Sequence, residues 1–116
     1  MICDAHCHLD LMNNMLGFIN EVKNSDLSLF AVGTTPKAYK REVQFCKNTQ
    51  NIYVGLGMHP QLVSSGYDDM QVFKAFFEQN HYIGEVGLDF SKDYIRTKES
   101  QIEVFSEIIR LCEQHG

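Results

Sequence analysis

No apolar run in this 116-residue sequence approaches the ~18 residues needed to cross a bilayer, which excludes a transmembrane helix. A secretory leader is not expected either, because Asp4 and His6 interrupt the first ten residues, where an apolar segment would lie. Positive charge is in deficit: 10 Lys and Arg stand against 15 Asp and Glu, a net charge of −5. That balance argues against a basic footprint for sequence-independent DNA binding, so anything that meets a polyanion here must do so by other means. Cysteine is sparse, and Cys3, Cys7, Cys46 and Cys112 form no C-x-x-C pair. Their spacing suggests neither a zinc knuckle nor a disulfide framework, and it points to a cytoplasmic protein. Cys3 and Cys112 sit within apolar patterns and read as small buried hydrophobes. Cys7 lies between two histidines, but in a strand it would face away from both. Linkers, charge runs and low-complexity stretches are missing too, so nothing marks a second domain. What remains is 44% hydrophobic and 22% charged, values typical of a globular chain.

Short apolar runs alternate with longer amphipathic ones. Residues 1–6, 27–32 (LSLFAV), 52–56 (IYVGL) and 81–86 (HYIGEV) have the length and the β-branched or aromatic content of strands. Residues 11–23 carry Met15, Leu16, Phe18, Ile19 and Val22 at helical spacing. A second helix opens at Pro36 and runs through Tyr39, Val43 and Cys46. A third starts from Asp68 as N-cap and carries Met70, Val72, Phe73, Phe76 and Phe77. The fourth begins near Thr97, with Ile102, Phe105, Ile108, Ile109 and Cys112 as its apolar face and Gly116 as its C-cap. Four βα units imply an α/β fold with a parallel sheet and right-handed crossovers. Two architectures accommodate them: a small doubly wound sheet, or the first half of a (βα)₈ TIM barrel, which needs about 250 residues in all. Both put their chemistry in the loops after the strand C-termini.

The polar residues at those strand exits are distinctive. The first strand ends in Asp4-Ala5-His6-Cys7-His8, where residues 4, 6 and 8 share a face in regular β-structure. Two neutral imidazoles from one strand end supply half of a divalent-metal site, and a carboxylate beside them can bridge or orient a ligand. An H-x-H pair arises by chance about 0.2 times in a chain of this composition, so its place at a strand end carries the weight. After the third run comes Gly55-Leu56-Gly57-Met58-His59-Pro60, with glycines that permit close backbone approach and a proline that holds His59 extended. On that rim His59 suits a phosphate contact or a proton carrier. The fourth run reads Ile83-Gly84-Glu85-Val86-Gly87-Leu88-Asp89-Phe90. A glutamate inside an apolar strand is costly to bury without a cation or metal, so Glu85 reads as a metal-bridging carboxylate. Asp89 either supports it from the loop or serves a turn. His81 and His115 read as solvent-exposed.

Taken together, DAHCHLD, GMHP and IGEVGLDF resemble the TatD family of metal-dependent hydrolases, and Lys98-Glu99-Ser100-Gln101 with Phe105 is similar to the family's segment before its fifth strand. TTPKAY and CEQHG are similar to the TatD-type nuclease of the Qat anti-phage system. The resemblance implies a TIM barrel, a divalent-metal site with two ions (Mg, Mn or Zn) when complete, and hydrolysis of DNA phosphodiesters. By position His6, His8 and Glu85 match metal ligands, and His59 matches the histidine near the substrate phosphate. The metals would then supply the positive charge that an acidic chain lacks.

The family completes its site with histidines after strands five and six and an aspartate after strand eight. Those strands have no counterpart in residues 1–116, so no catalytic residue is assigned. The expectation is therefore the N-terminal half of a barrel, four βα units in a single domain segment, needing a C-terminal half or a partner chain. Two alternatives stand: a non-catalytic half-barrel subunit, and another D-x-H-x-H barrel acting as a phosphoesterase or C–N hydrolase.

Overall fold

The computed structural model describes residues 1–65, 69–80 and 82–116. Strands β1 (Ile2–Cys7), β2 (Leu27–Ala31) and β3 (Ile52–Val54) form a parallel sheet in that order. Strands β4 (Leu56–Met58) and β5 (Ile83–Val86) form a second parallel pair. The third run, expected as one strand, is thus two. Gly55 is the joint: its N–H donates to Ala31 O at 2.8 Å, while the Leu56 N–H donates to Tyr82 O at 2.9 Å. The residues before the joint pair with β2 and those after it pair with β5, as the curvature of a closing sheet requires.

Helices α1 (Met15–Lys23), α2 (Pro36–Cys46), α3 (Met70–Phe77) and α4 (Lys98–His115) follow the strands in alternation. Their starts are chemically encoded. The side chains of Asn14, Thr35 and Asp69 accept the Gly17, Ala38 and Val72 N–H groups, and Pro36 occupies the first turn of α2. The first helix begins later than its apolar spacing suggested, because a 3₁₀ turn at Leu9–Leu11 precedes it. The cap of α3 is Asp69; Asp68, expected there, lies outside the described residues, as does His81. Gly116 caps α4 with φ of 78°, a conformation that glycine adopts without strain. None of the described helices is long and apolar enough to cross a membrane.

Two cores result. Cys7, Leu29, Ala31 and Ile52 from the three-stranded sheet pack under Met15, Ile19 and Val22 of α1 and Cys46 of α2. Leu56 and Met58 of β4 pack with Tyr39 of α2, Phe73 and Phe77 of α3, and Ile108 and Leu111 of α4. Burying side chains of this size contributes about 1.5–3 kcal/mol each.

Several expected core positions are not there. Cys3 and Cys112 are exposed, while Cys7 and Cys46 are buried. Ile102 and Ile109 are exposed on α4, whose packed ridge is Gln101, Ile108 and Leu111. On α2, Val43 is exposed and Glu42 is buried in its place. On α4 the apolar stripe is wider than the face its neighbours cover, and Cys3 lies on β1, the outer strand of its sheet. His115 is exposed as expected, with its ring edge-on to Phe77.

Candidate functional site

The C-terminal ends of β1, β4 and β5 converge. The Nε2 atoms of His6 and His8 lie 3.2 Å apart, and Glu85 Oε2 is 3.2 Å from each. Their rings meet nearly at right angles, so both Nε2 edges turn to one point. Among the described residues this is the one group of three His, Cys, Asp or Glu side chains close enough to share a metal ion.

Each ligand atom has a reason to be where it is. His8 Nδ1–H donates to Val32 O at 3.1 Å, which leaves the Nε2 lone pair free to face the cluster. Glu85 N–H donates to Gly33 O at 2.9 Å, and Gly33 N–H donates to Gly84 O at 2.9 Å. This tie between the exit of β2 and β5 leaves no space at Gly57, where a Cβ would overlap the Gly33 carbonyl and stand 2.7 Å from the Glu85 nitrogen. The glycines of the GLGMHP stretch therefore permit the close approach that positions Glu85. Asp10 ties the two loop ends from below, accepting both the N–H and the hydroxyl of Thr34.

The donor set fits a divalent ion. A tetrahedral ion with bonds of about 2.1 Å spaces its ligand atoms about 3.4 Å apart, and octahedral geometry brings them to about 3.0 Å. The observed 3.2 Å edges fall between these values. Glu85 Oε2 is also shielded from solvent and has no hydrogen-bond donor among the described residues. A lone pair and a carboxylate oxygen held this close repel one another unless a cation stands among them.

Asp4 is not part of this group. The pairing of β1 with β2 slips by one residue between Asp4 and Cys7, so Asp4 aligns with Leu29 and Cys7 with Ala31. Regular face alternation is interrupted within that span, and Asp4 is not in the group close enough to share an ion. Its Oδ1 instead accepts the His6 N–H at 3.0 Å. The carboxylate that joins the imidazoles comes from β5.

His59 reaches the same carboxylate from the turn after β4, with Nε2 3.4 Å from Glu85 Oε1. Its Nδ1 accepts the Gln61 N–H at 3.2 Å, so the neutral ring carries its proton on Nε2. His8 thus offers a lone pair to the site and His59 offers an N–H. Asp89 does not touch Glu85. Its carboxylate takes the Ser91 N–H at 2.9 Å and Gln61 Nε2 at 2.8 Å. Hydrogen bonds from Ser91 and then Gln61 hold that carboxyl below its ordinary range.

Three residues of this region have no role assigned by the sequence, although Gln101 and Asp10 lie within its family-like motifs. Gln101 is wholly buried and binds the Asp89 backbone. Its signal was a polar residue on the packed ridge of an otherwise apolar helix. Asp10 closes the DAHCHLD motif, which assigns it no role of its own. Glu42 is wholly buried, its carboxyl oxygens without partners among the described residues. Burial first, and Asp10 second, push its pKa up to about 8. Nearby, burial and Glu42 raise the Cys46 thiol to about 11, so that cysteine stays protonated and unreactive.

A sequence profile of the family described as TatD related DNase matches residues 3–116. The chain belongs to that family. Its alternating parallel strands and helices agree with the TIM-barrel architecture of TatD proteins. It is similar to an uncharacterized metal-dependent hydrolase of Buchnera aphidicola subsp. Baizongia pistaciae (strain Bp), with 26% identity across 94% of this chain and 44% of that protein. The chain therefore spans less than half the length of this curated relative.

Proposed function

We propose that this chain is the N-terminal half of a TatD-type hydrolase that cleaves phosphodiester bonds in DNA with a divalent metal, with His6, His8 and Glu85 as ligands. The observation that carries the reading is the triangle of three ligand atoms at 3.2 Å, one of them a shielded carboxylate oxygen without a donor. The name of the Buchnera relative, a metal-dependent hydrolase, supports the same class. When bound, such an ion lowers the pKa of water and neutralises phosphate charge. The protein's own groups divide the remaining work. His8, fixed through Val32, gives a lone pair at Nε2, while His59 holds a proton at Nε2 for a phosphate oxygen or the leaving group. The His6 side chain is 58% exposed, which leaves the approach to the cluster open on its side.

Strands β1 and β5 are sheet edges in the described structure, and Ile2, Leu88 and Phe90 are exposed near them. These surfaces support completion of the barrel by further strands, which would bring the remaining ligands from the same polypeptide or from a partner chain. The four free cysteines support a reducing, cytoplasmic setting. The test is calorimetric titration of the chain with Mn²⁺ and Zn²⁺, alongside Mn²⁺-dependent DNA cleavage by the polypeptide extended to barrel length. Glu85→Ala is expected to abolish both. Unchanged metal affinity in that variant would overturn the ligand assignment, and metal binding without cleavage of any phosphodiester would overturn the substrate class.

A further inference from the structure

We propose that Gln61, Asp89 and Gln101 are positioning residues for His59, linked in a chain of hydrogen bonds that ends at the metal-binding carboxylate. The role of His59 at the phosphate rests on the reading above; the chain of contacts does not. It begins on α4 with Gln101, whose side-chain amide is wholly buried. Its Oε1 accepts the Asp89 N–H at 2.7 Å. The two N–H groups of its Nε2 are shared among Asp89 O and Tyr94 O, each at 3.0 Å, and Thr97 Oγ1 at 2.9 Å. A buried amide is tolerated only when its polar atoms are satisfied. Here one side chain satisfies itself by pinning residues 89–97 to the first turn of α4.

Asp89 carries the constraint onward. Its Oδ2 accepts from Gln61 Nε2 at 2.8 Å, a hydrogen bond strengthened by the carboxylate charge. Gln61 is thereby held at both ends, since its backbone N–H donates to His59 Nδ1 at 3.2 Å. His59 in turn directs Nε2 toward Glu85 Oε1 at 3.4 Å. Asp89 follows Glu85 by four residues, so the contacts close a ring: Glu85, the backbone to Asp89, Gln61, His59 and back to Glu85. A ring closed by both backbone and side chains fixes the separation of its members better than either path alone. The competing account of Asp89 is a local turn residue that caps Ser91, and it predicts no effect on His59.

The test uses the chain labelled with ¹⁵N-histidine, and the variants Gln61→Ala, Asp89→Leu and Asp89→Asn. In the wild type the His59 ring is expected to show an unprotonated Nδ1 and a protonated Nε2 in slow exchange with water. Gln61→Ala and Asp89→Leu are expected to mix the tautomers and speed Nε2–H exchange at least tenfold. Asp89→Asn retains one oxygen where the carboxylate supplies two, to Gln61 and Ser91, and is expected to fall between the wild type and Asp89→Leu. Mn²⁺ affinity is expected to stay within twofold throughout, while inorganic phosphate binds the Mn²⁺-loaded leucine variant three- to tenfold more weakly. A His59 ring spectrum unchanged in both Gln61→Ala and Asp89→Leu would overturn the proposal, whatever the metal does. Failure of the wild type to bind Mn²⁺ or phosphate would instead sink the functional reading, and the ring spectra would still decide the positioning role. Gln101→Met tests the root of the chain. If it does not fold, the Gln61 and Asp89 variants carry the decision alone.

Discussion

Gly57 lies so close to Gly33 that a side chain on the former would overlap the carbonyl oxygen of the latter. That same carbonyl accepts the Glu85 N–H at 2.9 Å. The packing of two glycines therefore sets the position of the carboxylate that faces both imidazoles. Gly57→Ala is expected to cost about 1–3 kcal/mol of stability through forced backbone displacement. It is also expected to weaken Mn²⁺ binding at least tenfold, by moving Glu85 off the triangle. Denaturant unfolding and calorimetric titration of the same sample separate the two effects. Full metal affinity in a destabilised variant would show that Glu85 is held by something else.

An ion that binds the folded chain alone, at a free concentration of 100 times its Kd, adds about 2.7 kcal/mol to stability. The chain should show that gain in denaturant titrations with Mn²⁺ or Zn²⁺, and EDTA should reverse it. His8→Ala, which removes both a ligand atom and the tie to Val32 O, is expected to abolish the gain. A metal-induced gain that persists in this variant would place the binding elsewhere.

Glu42 sets a pH dependence of stability. Its folded pKa of about 8 stands above the ordinary 4.5, through burial first and the facing Asp10 second. Below about pH 4.5 the carboxyl is protonated in both states and adds no pH dependence. Between 4.5 and about 8 the unfolded chain releases the proton and the folded chain keeps it, so stability falls as pH rises. The slope approaches about 1.4 kcal/mol per pH unit for one fully shifted group. Glu42→Gln is expected to be more stable than the wild type at pH 8, with a flatter profile from pH 5 to 8. Parallel profiles for the two proteins would mean that Glu42 ionises freely.

The clamp between α3 and α4 works in the opposite direction. Glu107 Oε1 lies 2.8 Å from Lys74 Nζ and 2.7 Å from Arg110 Nη2, and Arg110 Nε donates to Oε2 at 2.8 Å. Hydrogen bonds from Arg110 and then Lys74 lower the carboxyl pKa from 4.5 to about 2. Its stabilising effect is present above pH 4.5 and is lost as pH falls toward 2. Glu107 is half-buried but Lys74 and Arg110 are exposed, so the effect is small and screened. Acid unfolding curves of Lys74→Met and the wild type should differ at low ionic strength and converge in 1 M salt. A difference that survives high salt would point to packing by the lysine stem.

Much of the site was legible because its ligands sit in contiguous motifs. His6 and His8 share a strand end, and the face alternation of β-structure sends them the same way whatever the rest of the chain does. Glu85 stood out as a charge in an apolar strand, and His59 was held at a strand exit by Pro60. Asp4 stands outside the cluster, its Oδ1 accepting the His6 N–H beside an irregularity of register between Asp4 and Cys7. Gln61 and Gln101 carried no chemistry of their own and acquire a role only through Asp89.

The amino-acid sequence by itself determined the alternation of strands and helices, the start of α2 at Pro36, and the residue types that reach the rim. These are local properties, written in periodicity and capping over a few residues. Tertiary structure alone decided that Gly55 splits a strand between two sheets, that Gly33 and Gly57 bring β5 up to β2, and that Glu42 rather than Val43 is buried. It also set the geometry at the carboxylate that the sequence marks, bringing Glu85 Oε2, 77 positions from His8 in the chain, to 3.2 Å from the His8 ring. Each of those outcomes depends on distances between segments remote in sequence, set by register and close packing, and no local pattern encodes them.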